Sequence, residues 1–567
     1  MELGSKSFYG RRRHDVVIED IPSDDESGES TTDDETEIEE GDAEPSESES
    51  SQDSDDDLMA CTTPTSSSAK RWVKKDYRPQ LNACAEASGV QDSLKIDAQD
   101  KRPADVFLEL VPEDFIEDIV FQTNLYATQT GKAFSPTNKE EIKTFLAINM
   151  LMGIKKLPSY RDFWSSRECL RDPFVSRQMS MRRFGALLTS IHLNDNAVAP
   201  NRGSPGFDKL YKVRPLLDKL AQTFFTNYFP SQNQSIDESM IRFKGRSALK
   251  QYMPMKPIKR GYKVWTRADE TGYVCQFQIY AGKADNQSSE QGLGERVVRD
   301  LTECLKGKNY HVYFDNYFSS VPLVEHLTSV QIYATGTVRA NRKQLPQLCT
   351  DAGLKRGDVD WRMCPDDKML VLKWKDKRCV TMISNAHTPS EIKTVKRRLK
   401  DGAHEDVPCP QVIIDYNQHM GYVDKADMLK SYYEVDRKSK KWWHRIFFHF
   451  MDVSVVNAHI LFKQIMAGER VPPLKEFKLQ VAEGLMGAPD LNPHKKRKVE
   501  LPSYKPHVPQ DIRYNKVSHL PIHSTSRRCA LCSTKDNPCR TRWMCEVCNV
   551  GLSLQGTRNC FLGFHRK

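Results

Sequence analysis

The chain has 567 residues, room for three or four domains at ~100–200 residues each. Its 84 Lys+Arg against 76 Asp+Glu give a formal charge of +8, yet Glu19 to Asp57 alone holds 20 acidic residues and no Lys or Arg. A hydrophobic content of 38% and a mean hydropathy of −0.62, with no apolar run near the ~18 residues that span a bilayer, argue against a membrane partner.

Without the acidic stretch, 84 basic residues face 56 acidic ones, a surplus of about +28. So basic a body predicts a polyanionic partner, nucleic acid first. The first thirteen residues carry charge with no apolar segment behind them, so no secretory signal is expected. Of the 15 cysteines, nine are scattered from Cys61 to Cys409 and six crowd into the last 39 residues. In a reducing compartment that distribution favours zinc over disulfides.

Residues 1–103 read as an acidic disordered region, too poor in apolar surface to offset chain entropy. A solvated tail is the plain reading. A regulatory one rests on Ser23 and Thr32, which precede acidic clusters where phosphate would deepen the negative field. Residues 104–232 read as helical, continued by 434–465. Phe115, Ile116, Ile119 and Val120 recur at helical spacing, and Thr137 with Glu140 forms a capping-box pattern ahead of Ile142, Phe145, Leu146 and Met150. Arg182 and Arg183 edge a further helix whose apolar face is Phe184, Leu187 and Leu188.

From Ser235 the pattern turns to short strands at Tyr262–Trp265, Tyr273–Tyr280 and His311–Phe314, with a helix around Glu295–Leu305 between the last two. This alternation predicts a mixed α/β core over 233–338 and 411–433. Strand signals at Met369–Trp374 and Val380–Ser384 fall in 339–410, read as an insertion domain. Val412–Tyr416 reads as a strand leading into a helix near Asp424. Residues 466–515 are Pro-rich and basic, a linker, and 516–567 hold the clustered cysteines.

Three aspartates stand out: Asp237 in S-I-D-E-S, Asp315 in H-V-Y-F-D-N-Y-F, and Asp424 in Y-N-Q-H-M-G-Y-V-D-K-A-D. If they converge, such carboxylates can hold Mg²⁺ or Mn²⁺, and a two-ion site activates water and stabilises the leaving oxygen in phosphodiester cleavage. Asp427, three residues after Asp424, shares its face if the segment is helical and is a candidate fourth ligand. Spacing alone leaves the plainer alternative open, that each is a cap or turn residue.

These three segments, with R-F-K-G-R after the first, K-P-I-K-R-G-Y-K-V-W at Lys256–Trp265 and A-T-G-T-V-R at Ala334–Arg339, resemble the core of piggyBac-type transposases in the same order. The resemblance covers about residues 104–465 and the cysteine-rich end. It implies an α/β ribonuclease H-like catalytic core with an inserted β-rich domain, flanking helical dimerisation and DNA-binding segments, and a C-terminal zinc-binding module. It matches Asp237, Asp315 and Asp424 to the family's catalytic triad and Asp427 to its additional Asp. The implied partners are double-stranded DNA (terminal repeats and a TTAA target) and a second copy of the chain. The implied reaction is cleavage through hairpin ends followed by strand transfer.

Arg242, Lys244, Arg246, Lys256, Lys259, Arg260, Lys263, Arg339 and Arg342 are candidate phosphate contacts, each equally a candidate solvated charge. Lys441 and Trp442 belong to a basic-aromatic cluster. Trp443, Ile446, Phe447 and Phe450 follow core spacing, whereas Trp442 is offset and resembles a family Trp near the hairpin end, where a ring can stack on an unpaired base.

Cys529-x-x-Cys532 and Cys545-x-x-Cys548 are zinc-ligand pairs, to which Cys560 and His565 add two donors. Two of Cys539, His519 and His523 would complete a two-zinc, cross-braced module. Ser553 stands where the family commonly has Cys, and Cys539 is the candidate replacement. Pro493-His-Lys-Lys-Arg-Lys-Val499 resembles a nuclear-import signal, so a nuclear protein using the import machinery is expected. The alternative to a transposase is a domesticated DNA- or chromatin-binding protein that keeps the fold without mobility.

Overall fold

In the computed structural model, residues 70–95, 101–131, 133–282, 292–398, 402–437, 439, 441–467, 469–487, 508, 510–514, 519–534, 536–555 and 558–566 are described. The chain divides into two units, Met1–Ser68 and Ala69–Lys567, and every described residue lies in the second. The acidic run and the basic heptapeptide at 493–499 lie outside the described residues.

Apolar spacing sets the first helices. α1 (Pro103–Leu110) opens on a proline, whose missing N–H costs no bond at a first helical position. α2 (Glu113–Gln129) buries Phe115, Ile116 and Ile119. α3 (Lys139–Ile154) is capped by Asn138, whose side chain accepts from the Glu141 N–H, rather than by Thr137. The Thr137 hydroxyl instead donates to the Glu141 carboxylate at 2.7 Å, so the cap lies one residue later than expected and is not a reciprocal box. α4 (Met181–Ser190) buries Phe184 and Leu187, and α5 (Arg214–Thr226) completes this layer.

The α/β part follows: β1 (Asn233–Arg242), β2 (Arg260–Asp269), β3 (Val274–Ile279), α6 (Leu293–Thr302), β4 (His311–Phe314), α7 (Val321–Ser329), β5 (Tyr333–Thr337), β6 (Val359–Cys364), β7 (Met369–Lys375) and β8 (Cys379–Ser384). Among the described residues these strands and the short Gln251–Tyr252 form one nine-stranded sheet. Its order is Gln251–Tyr252, β2, β1, β4, β5, β8, β7, β6, with β3 also on β2. β1 runs antiparallel to β2 but parallel to β4, and β4 parallel to β5. The segment 339–410 was expected as a domain apart. Its first three strands instead extend the core sheet, β8 pairing with β5 from Met382↔Thr337 to Ser384↔Thr335. β9 (Ile392–Arg398) and β10 (His404–Pro410) then form a separate hairpin.

α8 (Gln411–His419) corrects the expected strand at Val412–Tyr416. The β-branched run suggested extension, but Val412, Ile413 and Tyr416 also fit helical spacing, and Val412 and Ile413 pack onto buried residues of β7 and β8. α9 (Tyr422–Ser431) places Asp424 in its first turn. α10 (Trp442–Ile465) is long and apolar enough to cross a membrane, which the sequence reading did not register, but 89% of its apolar window is buried inside the protein. It is a core helix, with Trp443, Ile446, Phe447 and Phe450 all buried. α11 (Leu474–Leu485) lies in the expected linker and packs on α1 and α3 through Phe477, Val481, Ala482 and Leu485.

The sheet is covered on both faces. One face carries Ile236, Val312 and Phe314 against α6 and α7, through Val297, Leu301 and Val324. The other faces α9, α10 and the helical layer. Residues 70–95 correct the expected disorder over 1–103. Val73 exchanges two backbone hydrogen bonds with Met363 on β6, at 2.8 and 2.9 Å, which covers the open sheet edge. Lys70 pairs with Asp367 at 2.6 Å, and Gly89–Val90 forms a short ladder with Tyr228–Phe229. Composition averaged over a hundred residues hid these few anchors.

At the C-terminus β11 (Pro521–Arg528) pairs with β12 (Arg540–Cys545), and α12 (Cys560–His565) closes a small core of Cys529, Cys545, Cys548, Leu552, Cys560 and Phe564.

Candidate active site and metal-binding module

Alternation along β1 puts Ser235, Asp237 and Ser239 on one face of the strand. α9 lies across that face, fastened at two points: the Val423 N–H donates to Ser235 Oγ at 3.2 Å, and Ser239 Oγ donates to Asp427 Oδ1 at 2.7 Å. The i, i+3 pair Asp424 and Asp427 shares the α9 face towards β1. Asp315 follows β4, whose last residue Phe314 is the parallel partner of Ile236, one residue before Asp237. Three distant acids are thus drawn together, Asp237 in the middle of β1, Asp315 just past the end of β4 and Asp424 in the first turn of α9.

The electrostatics record the convergence. Burial pushes the Asp237 carboxyl up to about 7, with Asp315 and Asp424 adding to the rise while Lys256 opposes it. Burial also raises Asp315, and Glu238 adds to it. The Lys256 ammonium lies 3.9 Å from Asp237 Oδ1 and donates to the Glu238 carbonyl at 3.2 Å. Burial works against its charge, but Asp237, Glu238, Asp424 and Asp315 outweigh that and raise its pKa. One lysine does not neutralise such a set, and clustered carboxylates short of counter-charge are the donor chemistry a hard divalent cation satisfies. Asp237, Asp315 and Asp424 fit Mg²⁺ or Mn²⁺ on this ground. Asp427, the candidate fourth ligand, is half-buried, and its Oδ1 accepts from Ser239, which fastens the helix that carries Asp424.

The loop after β4 is braced from the segment that follows β5. Asp315 Oδ1 accepts from the Tyr317 N–H at 2.9 Å, Arg339 donates to Asn316 Oδ1 at 3.0 Å, and Arg342 donates to the Tyr317 carbonyl at 2.8 Å. Gly336 allows this packing, since a Cβ there would lie 2.5 Å from Ser319 Oγ and 2.8 Å from the Phe314 ring.

Among the expected phosphate contacts, Lys259, Arg260, Lys244 and Arg246 are exposed. Lys263 is buried, pairing with Glu238 at 2.6 Å and lying over the Tyr317 ring, so it does not face solvent. Arg242 pairs with Asp436 at 2.9 Å, and Arg339 and Arg342 serve the acid loop. Lys441 donates to the Thr189 carbonyl at 2.6 Å. Trp442 is half-buried, edge-on to Tyr262. Sequence reasoning passed over Ser235, Ser239 and Asn316. The period-two spacing of the serines about Asp237 was the available signal.

In the C-terminal module, two groups of donor atoms each lie within 4.8 Å of one another: His519, Cys545, Cys548 and His565, and Cys529, Cys532 and Cys560. In the first, His519 Nδ1 is 3.2 Å from Cys545 Sγ, and His565 Nε2 is 3.4 Å from Cys548 Sγ. Tetrahedral zinc with ordinary Zn–S and Zn–N bonds sets S···N at roughly 3.5 Å, so the spacing fits. His565 Nδ1 donates to the Phe561 carbonyl at 2.8 Å, leaving Nε2 as the free donor atom. In the second, Ser553 Oγ lies 3.8 Å from Cys532 Sγ and 3.6 Å from Cys539 Sγ, which brings Cys539 to the border of the group. Burial works against the Cys529 thiolate, but backbone N–H groups of Cys532 and Ser553 and the Ser553 hydroxyl pull it down to about 6. His523 stands apart, edge-on to Trp543.

A family model described as Transposase IS4 matches residues 102–459. The human PiggyBac transposable element-derived protein 3 is 30% identical over 508 residues, 87% of this chain and 81% of its own length. The chain belongs to the piggyBac transposase family. The human PiggyBac transposable element-derived protein 2 is 27% identical over 82% of this chain and 77% of its own. A cryo-EM structure of the piggyBac transposase synaptic complex with hairpin DNA shares the fold, with a TM-score of 0.62, 24% identity and coverage of 75% of this chain and 90% of that one.

Proposed function

We propose that this piggyBac-family chain is a metal-dependent DNA transposase that excises an element through hairpin ends and joins it to TTAA. The observation that carries this is the convergence of Asp237, Asp315 and Asp424 into one under-neutralised carboxylate cluster, half-buried at Asp237 and Asp315 and open to solvent at Asp424, on a family fold. The order β3-β2-β1-β4-β5, with β1–β4–β5 parallel, supports a ribonuclease H-like reading of the core.

Asp237, Asp315 and Asp424 would hold Mg²⁺ or Mn²⁺, which when bound activates an attacking oxygen and stabilises the leaving one. Lys256 steadies Asp237, while Arg339 and Arg342 hold the backbone that carries Asp315. Exposed Lys259 and Arg260 contact phosphates and set register, and Trp442 stacks on an unpaired base at the hairpin. In this scheme water opens the element's end, and the freed 3′-hydroxyl attacks the opposite strand to form the hairpin. After reopening it attacks the target. Two copies of the chain act on two ends.

The C-terminal module takes two zinc ions, Cys539 completing the second site. Nuclear import through Lys495–Lys498 belongs to the same reading; a fluorescent fusion with those residues as alanine is expected to stay cytoplasmic, and unchanged nuclear accumulation would refute it.

A second reading, a DNA-binding protein without mobility, is favoured by the human relatives' description as transposable-element-derived. Sequencing joined products from DNA flanked by the terminal repeats separates the two. Junctions at TTAA that vanish in Asp424→Ala are expected of the transposase, and tight end binding without junctions of the non-mobile protein.

A further inference from the structure

Beside the acid cluster, the sheet holds a hydrogen-bonded chain that runs from β4 through β5 and β8 to α8. Tyr313 OH meets His311 Nδ1 at 3.2 Å, and His311 Nε2 meets Thr335 Oγ1 at 2.8 Å. Thr335 Oγ1 meets Ser384 Oγ at 2.9 Å, Ser384 Oγ meets His387 Nδ1 at 2.9 Å, and His387 Nε2 meets Asp415 Oδ2 at 2.9 Å. The other Asp415 oxygen accepts from Gln411 Nε2 at 2.6 Å.

The carboxylate at the end sets the direction of every bond. Asp415 accepts only, so His387 donates from Nε2 and accepts at Nδ1 from the Ser384 hydroxyl. Ser384 then accepts from Thr335, Thr335 from His311 Nε2–H, and His311 Nδ1 from Tyr313. In this arrangement both histidines donate from Nε2 and accept at Nδ1, while Ser384 Oγ also accepts from the Ala386 N–H at 3.1 Å and Tyr313 OH also lies 3.4 Å from Asn233 Oδ1. Burial keeps His311 neutral at ordinary pH. Ser384, His387 and Asp415 have the composition of a hydrolytic triad, but Ser384 is fully buried, beyond the reach of substrate.

The Tyr313 end of the chain lies beside the acids, and the Asp415 end lies on α8, the helix that precedes α9. Tyr313 is two residues before Asp315, and its ring lies 4.9 Å from His419, which bonds Tyr422, two residues before Asp424. The contacts of Ser235 and Ser239 fasten α9 to the Asp237 strand, whereas the Asp315 strand meets α8 through the Tyr313–His419 rings and, by hydrogen bonds, through this chain. We propose that the Tyr313–His311–Thr335–Ser384–His387–Asp415 chain is that second fastening, a positioning device that fixes Asp424 relative to Asp315. Metal ligands must be held to within fractions of an ångström, and loss of outer-shell partners typically costs about 10–100-fold in metal affinity. The inference rests on the metal-site reading above.

The test is Mn²⁺ binding to the full-length, zinc-loaded protein, followed by electron paramagnetic resonance in wild type, Asp237→Ala, Thr335→Val, His387→Ala and His311→Gln, with thermal melts on the same samples. Thr335→Val keeps the side-chain volume and cuts the chain at its middle. The His311→Gln amide can still donate to Thr335 and accept from Tyr313. The expected result is an Asp237-dependent Mn²⁺ signal in wild type, weakened about tenfold or more in Thr335→Val and His387→Ala with the fold retained, and close to wild type in His311→Gln. Undiminished affinity in a folded Thr335→Val overturns the positioning role alone. Absence of any Asp237-dependent signal in wild type overturns the metal-site reading and this role with it.

Discussion

Asp237 carries the sharpest residue-level consequence. Its folded pKa, raised by burial to about 7, lies above the ~3.9 of an unfolded Asp, so the folded state holds the proton more tightly. Its contribution to stability is complete below about pH 4 and is lost as pH rises from about 4 to about 7. Without divalent metal, Asp237→Asn is therefore expected to match wild type near pH 4 and to be more stable at pH 8, on the order of 1–4 kcal/mol. Urea denaturation at the two pH values measures this; a destabilised Asn variant at pH 8 would show that the carboxylate is not strained. Added Mg²⁺ is expected to stabilise wild type and not the variant. The acids were legible in the sequence because their motifs are local and ordered. The bonds of Ser239 to Asp427 and of Arg342 to the Tyr317 carbonyl were not, since they join residues 188 and 25 apart in the chain.

Among the elements, apolar periodicity marked α2 and α4, where one buried stripe decides the structure, and the start of α10, which is buried on nearly every side. It failed at Val412–Tyr416, where β-branched residues meet both strand and helix spacing and packing on β7 and β8 chose the helix. It also failed at α11, because basic and proline-rich neighbours masked four buried apolar residues. Lys478 shows how firmly α11 is docked: its ammonium pairs with Asp452 at 2.7 Å, both side chains almost wholly buried. In the C-terminal module the ligand pairs were legible from spacing, but the choice of His519 over His523 was not, as it depends on where the chain enters β11. Metal analysis of the purified protein is expected to give two zinc ions per chain, falling to one in His565→Ala with Cys545→Ala. A single zinc in the unaltered protein would contradict the paired assignment.

At the scale of the molecule, a basic body is built around a sheet whose centre gathers negative charge. The contrast makes sense only if a cation mediates between the carboxylates and DNA phosphate, since unneutralised acids would repel the substrate. The fold brings the acids together through two devices of different range: a parallel strand pair that sets Asp315 beside Asp237, and a helix laid across the sheet that adds Asp424. Nothing in local sequence specifies the second, which comes from closure of a chain segment more than 100 residues after Asp315. The extension of the sheet by β6–β8 escaped the sequence reading for the same reason: edge-to-edge pairing leaves no mark on composition.

The most direct measurement is Mg²⁺-dependent cleavage of a DNA fragment carrying the flanking terminal repeats, with wild type and Asp315→Ala side by side and end binding measured on the same fragment. The account predicts cleavage by wild type that requires the metal and disappears in Asp315→Ala while end binding is kept. Tight binding without cleavage by either protein would contradict it.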